Sequence, residues 1–274
     1  MFLYIKVMPE LPEVEITTRK LQPLIGKAIK SFWNDREVTA RDITGRKVLR
    51  IKRLGKAIIF ELSGNRILAF HQRMSGKLLI LNKSDNRQTC LTRHIHARVG
   101  FNDDSKLLFH DPRKFGVVWY GQREKVFTDK YFTGLGPDAL GITQSDFVLR
   151  MKDYRGGIKA LLLNQHFLAG VGNIVADETL WQTKIHPQSK VEDINLAARG
   201  VLHSSLQAVL ERSIKAQGTT LRDWGHPDGK QGGFQNHLKV YGRAGKPCHR
   251  CGKNIQRITC AGRGTAFCPK CQQC

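Results

Sequence analysis

The chain has 274 residues and a formal net charge of +22 at pH 7. A chain of this length buries a sizeable core. So large a positive charge predicts a polyanionic partner, and nucleic acid is the first candidate. The absence of any run of about 18 apolar residues argues against a membrane-spanning protein, and the first seven residues are too short for a secretory signal. We therefore expect a cytoplasmic protein that contacts no membrane.

The first predicted element is a helix over residues 12–22. Pro12 suits its first turn, and Glu13 and Glu15 suit the positive end of the helix dipole. Pro23 then ends it. From residue 28 to 133 the pattern changes to short apolar runs separated by Gly, Asn, Asp and Ser. This spacing predicts an antiparallel β-sandwich or barrel.

A linker follows at residues 134–142, which contain three glycines and a proline. Helical periodicity then predicts one helix from about Ile158 to Gly170, a second for which Asn173 is the N-cap, and a third that ends at Gly218. The glycine-rich stretch after Gly218 has no period, which predicts a loop.

The cysteine-rich tail predicts a metal site. Cys248, Cys251, Cys268 and Cys271 form Cys-x2-Cys, sixteen residues, Cys-x2-Cys, a spacing that lets two tight turns present four thiolates to one tetrahedral zinc. Four thiolates leave no open position, so the zinc is expected to be structural. Cys274 offers an alternative pair with Cys271, but it stands at the end of the chain, where fraying is expected.

Four stretches are candidates for contact with DNA. In DPRKFG, residues 111–116, Arg113 and Phe115 suit entry into a base stack, and Met74 in HQRMSG is a second apolar wedge. In AGVGNIVAD, Asn173 and two glycines suit phosphate binding at a helix start. Arg263 in GRGT suits a phosphate contact from a hairpin. Each stretch also has an ordinary structural interpretation. DPRKFG could be a plain hairpin tip, Met74 could fill the core, AGVGNIVAD could be a tight turn between helices, and Arg263 could be a solvated arginine. None of the stretches identifies an activity by itself.

Together these stretches resemble the formamidopyrimidine-DNA glycosylase family of base-excision repair. The resemblance extends from Met8 to Cys271 and rests on eight ordered motifs, which are MPELPEVE, RLGKAIIFEL, HQRMSG, DPRKFG, AGVGNIVADE, QGTTLRD, VYGR and CHRC…GRGTAFCPKC. It implies an α+β multidomain protein: a catalytic β-sandwich with an active-site helix at 8–133, a linker at 134–142, a helical helix-two-turn-helix domain with a lesion loop at 143–235, and a zinc-finger hairpin at 236–274. We expect a monomer that binds double-stranded DNA containing oxidised bases and carries one structural Zn2+.

The resemblance implies the chemistry at the front of the chain. Pro9, freed by removal of Met8, would be the nucleophile that attacks the anomeric carbon of a flipped-out nucleotide. Glu10 would protonate the sugar ring oxygen, and Glu13 would hold the active-site helix in register. Without the resemblance, both carboxylates would simply complement the helix dipole.

The resemblance also implies contacts with DNA. Lys56 would belong to the catalytic residues by contacting the phosphates beside the lesion. Asn173, Tyr241 and Arg263 would bind phosphate as well, and His71 and Lys114 are further candidates. Met74, Arg113 and Phe115 would fill the gap left by the flipped base, with Arg113 facing the orphaned cytosine. The loop around 217–234 would close over the flipped base.

The opening motif PELPEVE and the Arg-x-Phe motif favour excision of oxidised purines over the oxidised-pyrimidine specificity of the endonuclease VIII branch. The chemistry requires a free amine at Pro9, so we expect the active protein to start there, after translation from Met8. If residues 1–8 were retained, Pro9 would be an inert amide and the protein a catalytically inactive binder of damaged DNA. A zinc-finger regulator that reads undamaged sequence is disfavoured because no recognition-helix pattern is evident.

Overall fold

The computed structural model describes residues 8–35, 43–82, 85, 93–221 and 224–273. The described residues form two compact units. One contains residues 8–133 and 217–232, and the other contains residues 134–216 and 233–273.

The first unit is a β-sandwich preceded by a helix. It contains two four-stranded antiparallel sheets. The strand order of one is β1 (29–34), β6 (95–101), β7 (106–110) and β5 (77–81), and that of the other is β2 (48–54), β3 (57–62), β4 (66–71) and β8 (117–122). Large apolar side chains from both sheets form its core, and the predicted β-sandwich is confirmed. The elements are α1 (Leu11–Lys20), β1 (Ile29–Asn34), β2 (Val48–Leu54), β3 (Ala57–Leu62), β4 (Arg66–His71), β5 (Lys77–Leu81), β6 (Ile95–Phe101), β7 (Lys106–His110), β8 (Val117–Gln122), α2 (Arg123–Phe127) and α3 (Lys130–Thr133).

Helix α1 begins one residue before the predicted start and ends two residues before the predicted end. Glu10 is its N-cap, with extended backbone, and Pro12 lies in the first turn, where its missing N–H costs no hydrogen bond. Leu11, Val14 and Ile16 are buried. The apolar face of α1 therefore fixes the start of the chain against the sandwich unit.

The second unit is helical and ends in a two-stranded hairpin. Helix α5 (Ile158–Leu163) is shorter than predicted, because Asn164 already has extended backbone, and the helix ends there. Asn173 is the first residue of α6 (Asn173–Thr183) and not its N-cap, which is Gly172; this part of the prediction is wrong. The elements are α4 (Gln144–Arg150), α5 (Ile158–Leu163), α6 (Asn173–Thr183), α7 (Leu196–Lys215), β9 (Gln256–Cys260) and β10 (Arg263–Phe267).

The glycine-rich stretch after α7 contains no α-helix or strand over its described residues, 217–221 and 224–233. Gly218 has φ +76°, and its Cα faces Trp224 so closely that a Cβ there would lie 2.9 Å from the ring. Both the left-handed backbone and the close approach require glycine at this position. Within the described part of the chain, no helix is long and apolar enough to cross a membrane.

Candidate active site and nucleic-acid interface

The start of the described chain is buried and held by one carboxylate. Pro9 is buried, and Glu10 and Glu13 are each 4% exposed. Glu13 Oε2 accepts the backbone N–H of Glu10 at 2.9 Å, and Glu13 Oε1 accepts the backbone N–H of Thr219 at 2.7 Å. Glu13 therefore joins the start of α1 to the loop that follows α7, a link that the sequence motifs did not indicate.

Burial changes the acidity of Glu13. Loss of solvation and the neighbouring Glu10 carboxylate oppose its ionisation and raise its pKa from 4.5 to about 7, although the N–H donors of Thr219 and Glu10 act in the opposite direction. Glu13 therefore titrates close to neutrality.

This shift predicts a pH dependence of stability. The folded-state pKa lies above the unfolded value, so the stability contributed by Glu13 is full below about pH 4.5 and is lost as the pH rises to about 7. Over that range we expect the free energy of unfolding to fall by about 3 kcal/mol more in the wild type than in Glu13→Gln, which cannot titrate.

Urea unfolding at several pH values between 4.5 and 7.5 measures the difference. The variant Glu211→Gln changes an exposed glutamate on α7 and controls for the loss of a charge. Parallel pH profiles for the wild type and Glu13→Gln would contradict the prediction.

Lys56 and His71 are neighbours in the sheet that contains β2, β3 and β4. Gly55 and Lys56 form a two-residue turn between β2 and β3, and Gly55 has φ +57°, as the first position of a type II′ turn requires. Ala57 pairs with His71 across β3 and β4. The register therefore places the Lys56 turn beside His71.

His71 is neutral at physiological pH. It is 3% exposed, and burial, together with the charges of Arg73 and Lys56, lowers its pKa to about 3. Its Nδ1 accepts the backbone N–H of Arg73 at 3.0 Å. A contact between His71 and phosphate, which remains a prediction, would thus be a neutral hydrogen bond and not an ion pair.

Asp111 joins the two stretches that carry the predicted wedges. It is fully buried, and its carboxylate accepts the Ser75 hydroxyl at 2.5 Å and the Gly116 N–H at 2.6 Å. Ser75 follows Met74, and Gly116 follows Phe115. The carboxylate therefore holds the HQRMSG turn against the DPRKFG turn; the joint action of the two turns on DNA stays a prediction.

The four middle residues of the DPRKFG turn, 112–115, are exposed. The Arg113 guanidinium lies 4.5 Å from the centre of the Phe115 ring, which is 46% exposed. A large exposed aromatic group beside a cation suits insertion into a base stack. Lys114 has φ +56° and pairs with Asp35 at 3.4 Å, so any phosphate contact by Lys114 would compete with that ion pair.

In the helical unit, α6 fixes two of the predicted DNA contacts. The Asn173 side-chain Nδ2 donates to the carbonyl of Gly264 at 2.9 Å, which ties the start of α6 to the hairpin. The buried Glu178 carboxylate accepts the backbone N–H groups of Lys239, Val240 and Tyr241 at 2.9–3.0 Å. Burial raises the pKa of Glu178, and these donors oppose the rise. Glu178 therefore positions Tyr241.

A buried ion pair fixes the strand that carries Arg263. Lys159 Nζ lies 2.5 Å from Asp177 Oδ1, with both side chains 0% exposed, and it also donates to the Thr265 hydroxyl at 2.6 Å. Asp177 Oδ2 accepts the N–H of Ala266 at 3.0 Å. Burial opposes ionisation of Asp177 and raises its pKa, whereas the Lys159 ammonium stabilises the carboxylate. The pair holds β10 and, through it, Arg263.

The four predicted cysteine ligands come together. The sulfur atoms of Cys248, Cys251, Cys268 and Cys271 all lie within 4.8 Å of one another. Tetrahedral zinc with Zn–S bonds of about 2.3 Å would separate its ligands by about 3.8 Å, so the cluster fits such an ion. The residues implied as ligands are confirmed as one cluster; the alternative ligand Cys274 lies outside the described residues.

Sequence reasoning named the contacts but missed the residues that position them. Asp111, Lys159, Asp177 and Glu178 were given no role, although Asp177 and Glu178 stand inside the quoted motif AGVGNIVADE. Two adjacent acidic residues in the middle of an apolar helix were a usable signal, because buried carboxylates need partners.

The β-sandwich unit, the helical unit and the four-cysteine hairpin match the three domains of one class of protein, the DNA glycosylases with a helix-two-turn-helix domain and a zinc finger. Family models agree, matching the formamidopyrimidine-DNA glycosylase N-terminal domain at residues 8–118, the formamidopyrimidine-DNA glycosylase H2TH domain at 134–224, and the zinc finger found in FPG and IleRS at 245–273. The chain belongs to the formamidopyrimidine-DNA glycosylase family.

Curated relatives support the same assignment over nearly the full length. A formamidopyrimidine-DNA glycosylase of Chloroflexus aurantiacus is 39% identical, with 97% of this chain and 98% of the relative covered. One of Solibacter usitatus is 38% identical, with 97% and 100% covered. Members of this family are DNA glycosylases and abasic-site lyases, so the predicted enzyme class is confirmed.

Solved structures resemble the chain equally well. A variant of the Lactococcus lactis FPG in complex with Fapy-dG-containing DNA has a TM-score of 0.87 at 35% identity, with 97% of this chain and 100% of that chain covered. The MutM (FPG) protein of Thermus thermophilus has a TM-score of 0.86 at 36% identity, with 96% and 98% covered. These likenesses confirm the predicted architecture. The match to the zinc-finger model, together with the four clustered cysteines, confirms the predicted structural zinc site.

Proposed function

We propose that this protein excises oxidised purines, namely 8-oxoguanine and formamidopyrimidines, and then cleaves the abasic site through an imine on Pro9. The observation that carries the proposal is the buried sequence Pro9–Glu10 at the start of α1, fixed by the Glu13 carboxylate. Once the residues before Pro9 are removed, this start of the helix would present a secondary amine next to a carboxyl group, which is the pairing that the reaction requires.

The chemistry follows from these two groups. The amine nitrogen of Pro9 forms a bond to C1′ as the glycosidic bond breaks, and the base leaves with the electron pair of that bond. The proton that the Pro9 nitrogen loses balances the proton that the base takes up. Glu10 gives a proton to the ring oxygen, the C1′–O4′ bond opens, and C1′ becomes an iminium carbon. The iminium acidifies the adjacent C2′–H, so β-elimination expels the 3′ phosphate and δ-elimination the 5′ phosphate. Water then releases the sugar fragment and regenerates the amine.

Each unit supplies its own contacts with DNA. In the sandwich unit, Lys56 and His71 would bind phosphate, and Met74, Arg113 and Phe115 would fill the gap left by the extruded base. In the helical unit, Asn173, Tyr241 and Arg263 would bind phosphate. A net charge of +22 favours the same partner. Because the curated relatives named above are bacterial, we place the protein in the cytoplasm on chromosomal DNA.

Borohydride trapping tests the proposal. Protein that begins at Pro9 and a duplex with one 8-oxoguanine opposite cytosine should give a covalent complex on reduction, because borohydride converts the iminium to a stable amine. The same protein carrying residues 1–8 should give none, and intact mass identifies the N-terminus of each preparation. Failure of the Pro9-start protein to form any complex would contradict the proposed function.

Oxidised pyrimidine is a second candidate substrate, because one solved relative is the Lactococcus lactis FPG in complex with DNA containing an oxidised pyrimidine. Single-turnover rates on duplexes with 8-oxoguanine or an oxidised pyrimidine separate the two specificities. A faster rate on the pyrimidine would support the endonuclease VIII-like alternative. If the form with residues 1–8 binds damaged DNA but gives no trapped complex, that form is an inactive binder.

A further inference from the structure

Tyr131, which lies in the short helix α3, contacts the turn that carries Lys56. The Tyr131 hydroxyl accepts the backbone N–H of Lys56 at 2.9 Å and donates to the carbonyl of Leu54 at 3.4 Å. These two backbone groups stand on either side of Gly55, so one hydroxyl bridges the whole turn. The backbone of Lys56 is thereby fixed from outside the sheet.

The ring of Tyr131 contacts the second phosphate-directed residue of this sheet. Its edge-to-face contact with the His71 ring has a centroid distance of 5.0 Å and an interplanar angle of 88°. The Lys56 side chain is 6% exposed, and its charge acts on His71. Lys56, in the turn between β2 and β3, and His71, at the end of β4, therefore share Tyr131 as a neighbour.

Tyr131 is itself held firmly. Its ring stacks on Trp119 of β8, with centroids 5.4 Å apart and an interplanar angle of 28°. The Asp129 carboxylate accepts the Tyr131 backbone N–H at 2.8 Å and the Trp119 indole N–H at 3.0 Å. Asp129 and Trp119 thus fix both the backbone and the ring, which leaves the hydroxyl with one orientation toward the turn.

We infer that Tyr131 is a positioning residue that orients Lys56 and His71 toward the phosphates beside the lesion. The inference rests on the proposed function, because it takes the phosphate contact of Lys56 as its target. In the proposed reaction, Tyr131 contacts neither the Pro9 amine nor the sugar. It acts through the Lys56 turn.

The test is a double-mutant cycle on protein that begins at Pro9. Tyr131→Phe removes only the hydroxyl and keeps the ring in its stack. Binding is measured on a duplex with a tetrahydrofuran abasic-site analogue at several salt concentrations. We expect Tyr131→Phe to weaken binding about tenfold, as the loss of one well-placed hydrogen bond does. The slope of log K against log salt should fall by up to about 0.9, the contribution of one phosphate contact.

In a Lys56→Ala background the same change should cost almost nothing, because the contact that it positions is already gone. The control Tyr154→Phe removes a hydroxyl from the helical unit and should leave binding unchanged. Additive losses in the cycle, or wild-type binding by Tyr131→Phe, would overturn the inference. If the wild-type protein gave no borohydride-trapped complex, the proposed function would fail. If the wild type were trapped and Tyr131→Phe bound the duplex with wild-type affinity, only the inference about Tyr131 would be contradicted.

Discussion

Replacing Glu10 by glutamine should lower the rate of 8-oxoguanine excision by about 10²- to 10⁴-fold, which is the usual contribution of a positioned general acid. Glutamine has nearly the same volume as glutamate and leaves the Glu10 backbone N–H free to donate to Glu13, as it does in the wild type. The change therefore removes the proton and keeps the structure. Single-turnover kinetics on a duplex with one 8-oxoguanine measure the effect.

Cleavage at a preformed abasic site supplies the comparison that isolates the acid. An abasic sugar already equilibrates with its open-chain aldehyde, so it needs far less help in opening the ring, and we expect a loss of at most about tenfold there. Glu211→Gln, at an exposed glutamate of α7, is the matched control and should behave as the wild type in both assays. Equal losses on both substrates would show that Glu10 supports the fold or the nucleophile and not ring opening.

The second large effect concerns the zinc ligands. Replacing Cys268 by serine, or removing zinc with a chelator, should reduce affinity for damaged DNA at least about 100-fold. The apolar cluster behind the hairpin is small, and Cys248 and Cys268 are two of its six buried members. A two-stranded hairpin is marginal by itself, so loss of the metal should release the strand that carries Arg263.

The sandwich unit should survive this change, because it has its own core. Calorimetry of the zinc-free protein should therefore still show the unfolding transition of the sandwich unit. The zinc content of the same sample should be zero. Cys260→Ser is the control, since Cys260 lies outside the sulfur cluster and its thiol contacts the carbonyl of Pro187. Undiminished DNA binding by metal-free protein would contradict the role given to the hairpin.

Local patterns predicted the parts of this protein that are local in sequence. The Cys-x2-Cys pairs indicated the metal cluster because each pair lies in one turn. Alternating apolar runs indicated the sandwich because each strand buries its own apolar side chains. Proline and glutamate at the start of α1 indicated a helix because their preferences depend only on the first turn.

Contacts between distant segments could not be predicted in this way. Nothing in the periodicity shows that Lys159 meets Thr265, or that Glu13 meets Thr219. Asn173 was expected to cap α6 because asparagine favours that position, but its side chain bonds to the hairpin instead, and Gly172 takes the cap. At Asn173 a tertiary contact outweighs the local preference for the N-cap position.

Helix α6 also limits how this protein can be engineered. Asn173, Asp177 and Glu178 stand within two turns and hold two separate segments. These are strand β10, through Gly264 and Ala266, and the backbone of residues 239–241. A zinc hairpin grafted from a relative would arrive without the partners that orient it. The smallest transferable module in a chimaera is therefore the hairpin together with α6 and Lys159 of α5.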